Sequence, residues 1–156
     1  AIMDVTVNTR LPPPVILLFA GAAVWGIDWL APATRFEAPW LTPMAVTLAA
    51  SAAGVMLAAA LWFARQKTTL NPMHPARARH LLTTGPYAVS RNPIYLADAA
   101  LLLAWALWLG NAAGLLMVPV FIRTLTRLQI EPEEQALAHK FGEAYRDYCR
   151  RVRRWL

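Results

Sequence analysis

Two polar segments hold most of the side chains able to do chemistry. One runs from Arg79-His80-Leu81-Leu82-Thr83-Thr84-Gly85-Pro86-Tyr87 on to Arg91-Asn92-Pro93-Ile94-Tyr95, and the other from Arg127 to Glu131-Pro132-Glu133-Glu134. Thr84-Gly85-Pro86 is a turn that leaves backbone groups free for a ligand. Tyr87 and Tyr95 offer ring faces that can hold a cation. Glu133 and Glu134 offer carboxylates to ribose hydroxyls or a cationic group, and Arg91 and Arg127 offer guanidinium forks to an anion. Together they could make a ligand pocket. Each also has a plainer reading. Paired glutamates suit a helix N-terminus, and tyrosines, arginines and His80 serve as anchors at a membrane interface. Asp98, about one turn beyond Tyr95, is functional or simply pairs with Arg91 or Arg123.

The elements that must position these residues are apolar. The chain has 156 residues, of which 58% are hydrophobic and only 15% charged, against roughly 45–50% and about 25% in soluble domains. Residues 45–64 and 99–122 contain no charge, and a bilayer crossing needs roughly 20 such residues. The sequence therefore predicts an all-α polytopic membrane protein, a single integral membrane domain over 1–156. About four spans are expected, at 14–30, 44–64, 94–109 and 112–128. The last two come from one apolar stretch too long for a single crossing, divided at the turn pair Gly110-Asn111. Pro119 is expected to kink the fourth helix. A retained first helix fits residues 14–30 better than a signal peptide, because Asp4 cancels Arg10 and Pro32 suits a cleavage site poorly.

Residues 65–93 form a polar loop that Pro72, Pro75, Pro86 and Pro93 prevent from being one helix. Residues 131–152 read as an amphipathic helix, with Pro132 and acids in its first turn, Leu137, Phe141, Tyr145 and Tyr148 on one face, and arginines completing its last turns.

The net charge is +6. The loop 65–93 carries five bases and no acid, and the C-terminal part is also basic. Bases placed next to spans follow the positive-inside rule rather than a nucleic-acid footprint. The loop, the C-terminal helix and both termini are therefore expected in the cytoplasm, on an inner or plasma membrane if the source is bacterial. The single Cys149 excludes an intrachain disulfide and is read as a plain small residue. No Asp, Glu or His spacing suggests a metal. Small residues in span two permit close packing, without fixing an oligomeric state.

The runs His80-Leu-Leu-Thr-Thr-Gly-Pro-Tyr87, Arg91-Asn-Pro-Ile-Tyr95 and Glu133-Glu134-x-x-Leu137-x-x-x-Phe141-Gly142-x-x-Tyr145-x-x-Tyr148 resemble the isoprenylcysteine carboxyl methyltransferase and phospholipid methyltransferase group. The resemblance covers about 65–152. It implies an integral membrane methyltransferase that uses S-adenosylmethionine and acts, at the cytoplasmic membrane face, on a lipid-like or apolar small-molecule acceptor of the prenylcysteine carboxylate or phospholipid amine type. It assigns cofactor binding to His80, Leu82, Thr84, Gly85, Pro86, Tyr87, Asn92, Tyr95, Glu133 and Glu134, and catalysis to Arg91, Arg127 and Glu134. Asn92 stands where the isoprenylcysteine enzymes usually have His, which argues against a prenylcysteine acceptor. The ending Tyr148-Cys149-Arg150-Arg151-Val152 is also similar to the sterol reductases, which implies an NADPH-dependent oxidoreductase as the alternative. A third reading is a non-enzymatic membrane protein that keeps the fold.

Overall fold

A computed structural model of the chain describes residues 11–65 and 81–156. The helices are α1 (Pro13–Leu30), α2 (Leu41–Arg65), α3 (Pro93–Leu109), α4 (Ala112–Leu115), α5 (Met117–Leu125), α6 (Glu131–Phe141) and α7 (Glu143–Arg151). Among the described residues there is no strand, only one isolated bridge between Arg35 and Asn111. The protein is thus all-α. Three helical stretches are long and apolar enough to cross a membrane: α1, α2, and the 30-residue run Ala112–Phe141 that joins α4, α5 and α6. The 17-residue α3 is a shorter apolar helix.

The packing is that of a membrane bundle. Leu18, Phe19, Trp25, Trp29, Leu57 and Leu61 are exposed, as lipid-facing residues are, since there is no water for them to avoid. α2 buries Ala45, Ala52 and Ala59, one residue every seven. Against this seam of small residues packs α3, with Ala97 and Ala104 buried, so the two backbones come close. α1 buries Ile16, Ala20, Val24 and Asp28 at four-residue spacing. With Ala99, Leu102, Ala106, Phe121, Leu125 and Ile130, the first three of these form the main apolar core.

The hairpin between α3 and α4 turns at Gly110-Asn111, and Asn111 Oδ1 caps α4 by accepting from the Gly114 N–H at 3.1 Å. The run beyond it differs from the sequence reading. No break separates a span ending near 128 from a helix starting at 131. Instead the chain passes through a π-helical turn, Thr126–Ile130, straight into α6. Pro132 has no N–H to give to the Leu128 carbonyl, and the widened turn lets the Glu131 N–H reach back five residues to Thr126. The helix expected over 131–152 is in fact two helices. Gly142 has φ of 52°, a left-handed conformation that stops α6 before α7 begins.

At the end where α1 finishes, the Arg35 Nε and Nη2 donate to Asp28 at 2.7 and 2.5 Å. Asn111 Nδ2 donates to Asp28 Oδ1 at 3.1 Å and to the Ala31 carbonyl at 3.2 Å. Asn111 Oδ1 accepts from Thr34 Oγ1 at 2.8 Å. This closed polar cluster fastens the α1–α2 loop to the α3–α4 hairpin.

Candidate functional site

The opposite end gathers most of the chemistry-bearing residues. A 3-10 turn, Gly85–Ala88, leads into it. Gly85 has φ of 63°, and a Cβ there would come within 2.7 Å of the Trp62 indole on α2. Only glycine allows both this backbone conformation and this approach. The Phe63 ring meets Tyr87 edge-on, with centroids 5.5 Å apart. Tyr148 Oη on α7 donates to the Tyr87 carbonyl at 2.7 Å. Burial pushes the Tyr87 and Tyr148 hydroxyls above the ordinary tyrosine range, so both stay neutral donors.

After this turn, Ser90 is buried and accepts from the Asn92 N–H at 3.1 Å. Pro93 then starts α3, in keeping with proline's preference for the first helical position. This places Tyr95 so that its hydroxyl donates to Glu133 Oε1 on α6 at 2.6 Å, joining two helices 38 residues apart in sequence.

Glu134 is held quite differently. It accepts from Arg154 Nε at 3.0 Å and from Arg154 Nη2 at 2.6 Å. Arg91 Nη2 lies 3.3 Å from the same carboxylate. Glu134 in turn holds Arg154 above its usual range, as a fully charged partner. The tail also pairs through its backbone: the Arg91 N–H donates to the Arg153 carbonyl at 3.0 Å, and Asn92 Nδ2 donates to the Arg154 carbonyl at 2.9 Å. Arg91 Nη1 donates to Cys149 Sγ, so that cysteine has a polar contact beyond its small size.

The structure therefore brings Gly85, Pro86, Tyr87, Arg91, Asn92, Tyr95, Glu133 and Glu134 to one end of the bundle. Leu82 and Thr84 lie on the segment leading into the turn, Leu82 half-buried and Thr84 exposed. Arg127 is exposed on the π turn, with no hydrogen bond or ion pair among the described residues. His80 lies outside the described residues. Among those described, no group of three or more His, Cys, Asp or Glu could hold a metal ion.

Sequence reasoning missed Trp62, Tyr148 and Arg154. Trp62 resembles an interface aromatic at the end of a span, yet its Nε1 is buried with no hydrogen-bond partner among the described residues. Arg154 belongs to a run of arginines read as complementing a helix dipole. Arg146 and Arg150 instead pair with Glu143 and Asp147 one turn away, while Arg154 reaches across to α6.

Fold and site together define a helical membrane protein with a carboxylate–tyrosine site at one end of its bundle. Residues 40–144, more than half of the chain, match the phospholipid methyltransferase family, and the chain belongs to that family. Membership implies a membrane methyltransferase. A Haemophilus influenzae protein described as uncharacterized is 49% identical over 63 residues, which is 40% of this chain and all of that protein. The Delta(14)-sterol reductase of Mus musculus is 34% identical over 85 residues, 53% of this chain; the chain spans only 20% of that reductase. No solved structure matches.

Proposed function

We propose that the protein is an S-adenosylmethionine-dependent methyltransferase acting on a lipid-like or apolar small acceptor, with its site facing the cytoplasm. The observation that carries this reading is the Tyr95–Glu133 pair beside the Gly85–Tyr87 turn. Glu133 Oε1 is fixed by Tyr95, and Oε2 has no hydrogen-bond partner among the described residues. That oxygen suits a ribose hydroxyl or an amino group. Trp62 Nε1, buried and without a hydrogen-bond partner among the described residues, is a donor beside the glycine turn. A free acceptor, a free donor and aromatic faces are what a nucleoside carrying a cationic sulfur requires.

Bound S-adenosylmethionine supplies an activated methyl group on a sulfonium. The chain contributes alignment and exclusion of water, the main requirements of an in-line displacement. Glu133, Tyr87, Trp62 and the Gly85 backbone hold the cofactor. Glu134, Arg91, Asn92 and Arg154 keep the turn in place. Arg127, exposed on the π turn, is an acceptor-side residue.

The match to a sterol reductase keeps an NADPH-dependent activity as a second reading. Thermal unfolding of the detergent-purified protein with S-adenosylmethionine, S-adenosylhomocysteine or NADPH separates the two. A ligand at 100 times its Kd adds about 2.7 kcal/mol to the folded state. We expect the two sulfur compounds to stabilise the protein and Glu133→Gln to abolish the effect. Stabilisation by NADPH alone would transfer the assignment to the reductase class.

A further inference from the structure

The run from α5 into α6 buries one face, and the π turn decides which residues that face holds. Phe121 and Leu125 of α5 lie in the main apolar core. Successive residues of an α-helix point about 100° apart, so in an unbroken helix Pro132 would lie within roughly 20° of the direction of Leu125, and Glu133 about 80° away from it. The π turn Thr126–Ile130 holds one residue more than an α turn. Everything beyond it is turned back by one residue, which brings Glu133 within roughly 20° of the Leu125 direction and turns Pro132 about 120° away. Burial follows the shifted register. Ile130, which an unbroken helix would turn outward, is fully buried in the core, whereas Leu128 is 48% exposed. The Tyr95–Glu133 bond therefore depends on the extra residue.

A π turn needs something to hold it, since closing it to an α-helix restores the ordinary hydrogen-bond geometry. Pro132 supplies one constraint, having no N–H for the Leu128 carbonyl. Gln129 supplies another. It is only 1% exposed, and its Nε2 donates to the Leu11 carbonyl at 2.5 Å, across 118 residues of sequence. Leu11 is followed by Pro12, Pro13 and Pro14, none of which has an N–H. The next N–H, that of Val15, donates to the Pro12 carbonyl at 2.9 Å, so the Leu11 carbonyl takes its donor from Gln129. Gln129 Oε1 has no partner among the described residues. A buried amide with one half unsatisfied is costly if it serves only as packing. What it gains is the tether, a fixed point at the entry of α1 for the π turn.

We propose that Gln129 is a positioning residue for the site: by tying the π turn to the entry of α1 it holds the shifted register, and so aims Glu133 at Tyr95 and at the cofactor. This role rests on the reading of Glu133 as a cofactor-binding residue. Gln129 acts through Glu133 and makes the start of α1 part of what positions the site.

The test is a double-mutant cycle on the detergent-purified full chain, with wild type, Tyr95→Phe, Gln129→Met and the double variant. Methionine keeps the length of glutamine and removes its donor. Each protein is followed by thermal unfolding without ligand and by its affinity for S-adenosylhomocysteine. Gln129 and Tyr95 donate to different partners, so a mere loss of packing at Gln129 would add to the loss at Tyr95. A loss of aim would not: Tyr95→Phe should lower the Tm of the wild type and leave that of Gln129→Met unchanged. The Kd should weaken roughly tenfold in Gln129→Met, the loss expected for one bond to a charged group. Deleting Leu128 from Gln129→Met removes the extra residue, so that an unbroken helix carries Glu133 to Tyr95 without a tether. It should restore both the affinity and the sensitivity to Tyr95→Phe. Additive losses in the cycle, or wild-type affinity in Gln129→Met, overturn the proposal. If S-adenosylhomocysteine fails to bind the wild type, the cofactor reading fails, and the cycle on the unliganded protein still decides the role of Gln129.

Discussion

Glu133 and Glu134 are adjacent in sequence, but successive residues of a helix point about 100° apart, and that angle decides what each one meets. Glu133 faces Tyr95 on α3, and Glu134 faces Arg154 and Arg91. Sequence alone marks both as candidates for one ligand. It cannot divide them, because the arginine that claims Glu134 lies 20 residues away in a tail whose path is set by tertiary contacts. Substitution should separate the two roles. Glu134→Gln leaves two arginines without their carboxylate, and bonds to charged groups are each worth about 1.5–3 kcal/mol. Glu134 is 16% exposed at its side chain and Arg154 35%, so solvent screening reduces the loss to about 2 kcal/mol in total. Glu133→Gln keeps an oxygen for the Tyr95 hydroxyl and should cost less than about 1 kcal/mol. Melting curves of the two variants, read beside their affinities for S-adenosylhomocysteine, should show Glu134→Gln losing mainly stability and Glu133→Gln mainly binding. Equal stability losses would remove the division of labour.

At the scale of elements, hydropathy identifies α1 and α2 because lipid selects long apolar runs regardless of tertiary context. The α3–α4 hairpin is visible in the Gly110-Asn111 pair for a local reason of the same kind. The continuous passage from α5 into α6 is not visible, because a proline signals either a break or a π turn, and only the packing of Ile130 and Gln129, both buried, selects the latter. The spacing of Leu137, Phe141, Tyr145 and Tyr148 continues through Gly142, so the turn between α6 and α7 is hidden by a pattern that remains apolar on both sides. That turn is what folds the tail back on the site. Val152 to Leu156 then act as a strap, with the Arg153 and Arg154 carbonyls and the Arg154 guanidinium all gripping residues 91, 92 and 134. Arg154→Lys retains the charge but loses the planar fork, and Arg154→Ala loses both. Amide hydrogen exchange over residues 85–92 should quicken from wild type to Lys to Ala, and affinity for S-adenosylhomocysteine should fall in the same order, reaching about tenfold for Ala if about 1.4 kcal/mol of preorganisation is lost. Exchange that is the same in all three proteins would show that the strap does not hold the turn.

For the whole molecule, the bundle has a closed polar end and an open one. The closed end is fully satisfied: Asp28, Arg35, Thr34 and Asn111 donate to and accept from each other and the backbone. The open end contains the buried side-chain atoms without a hydrogen-bond partner among the described residues, Trp62 Nε1, Arg91 Nε and Gln129 Oε1. Buried polar groups are normally paired, and the cofactor proposed above would supply partners at this end. α1 separates the two ends by about 27 Å, given its 18 residues, and changes that far apart without shared partners should add independently. Asn111 is completely buried and central to the closed cluster. Asn111→Ala takes the Nδ2 donor from Asp28 and the Ala31 carbonyl, and the Oδ1 acceptor from Thr34 and the Gly114 N–H. Leaving such groups buried and unpaired should cost about 3 kcal/mol or more, and it should appear as a lower Tm with the α3–α4 hairpin exchanging first. The folded fraction should still bind S-adenosylhomocysteine with wild-type affinity at temperatures below the transition, because the damage lies beyond the reach of the site. A matching fall in affinity would mean that the hairpin sets the position of α6, and that the two ends operate as one mechanical unit.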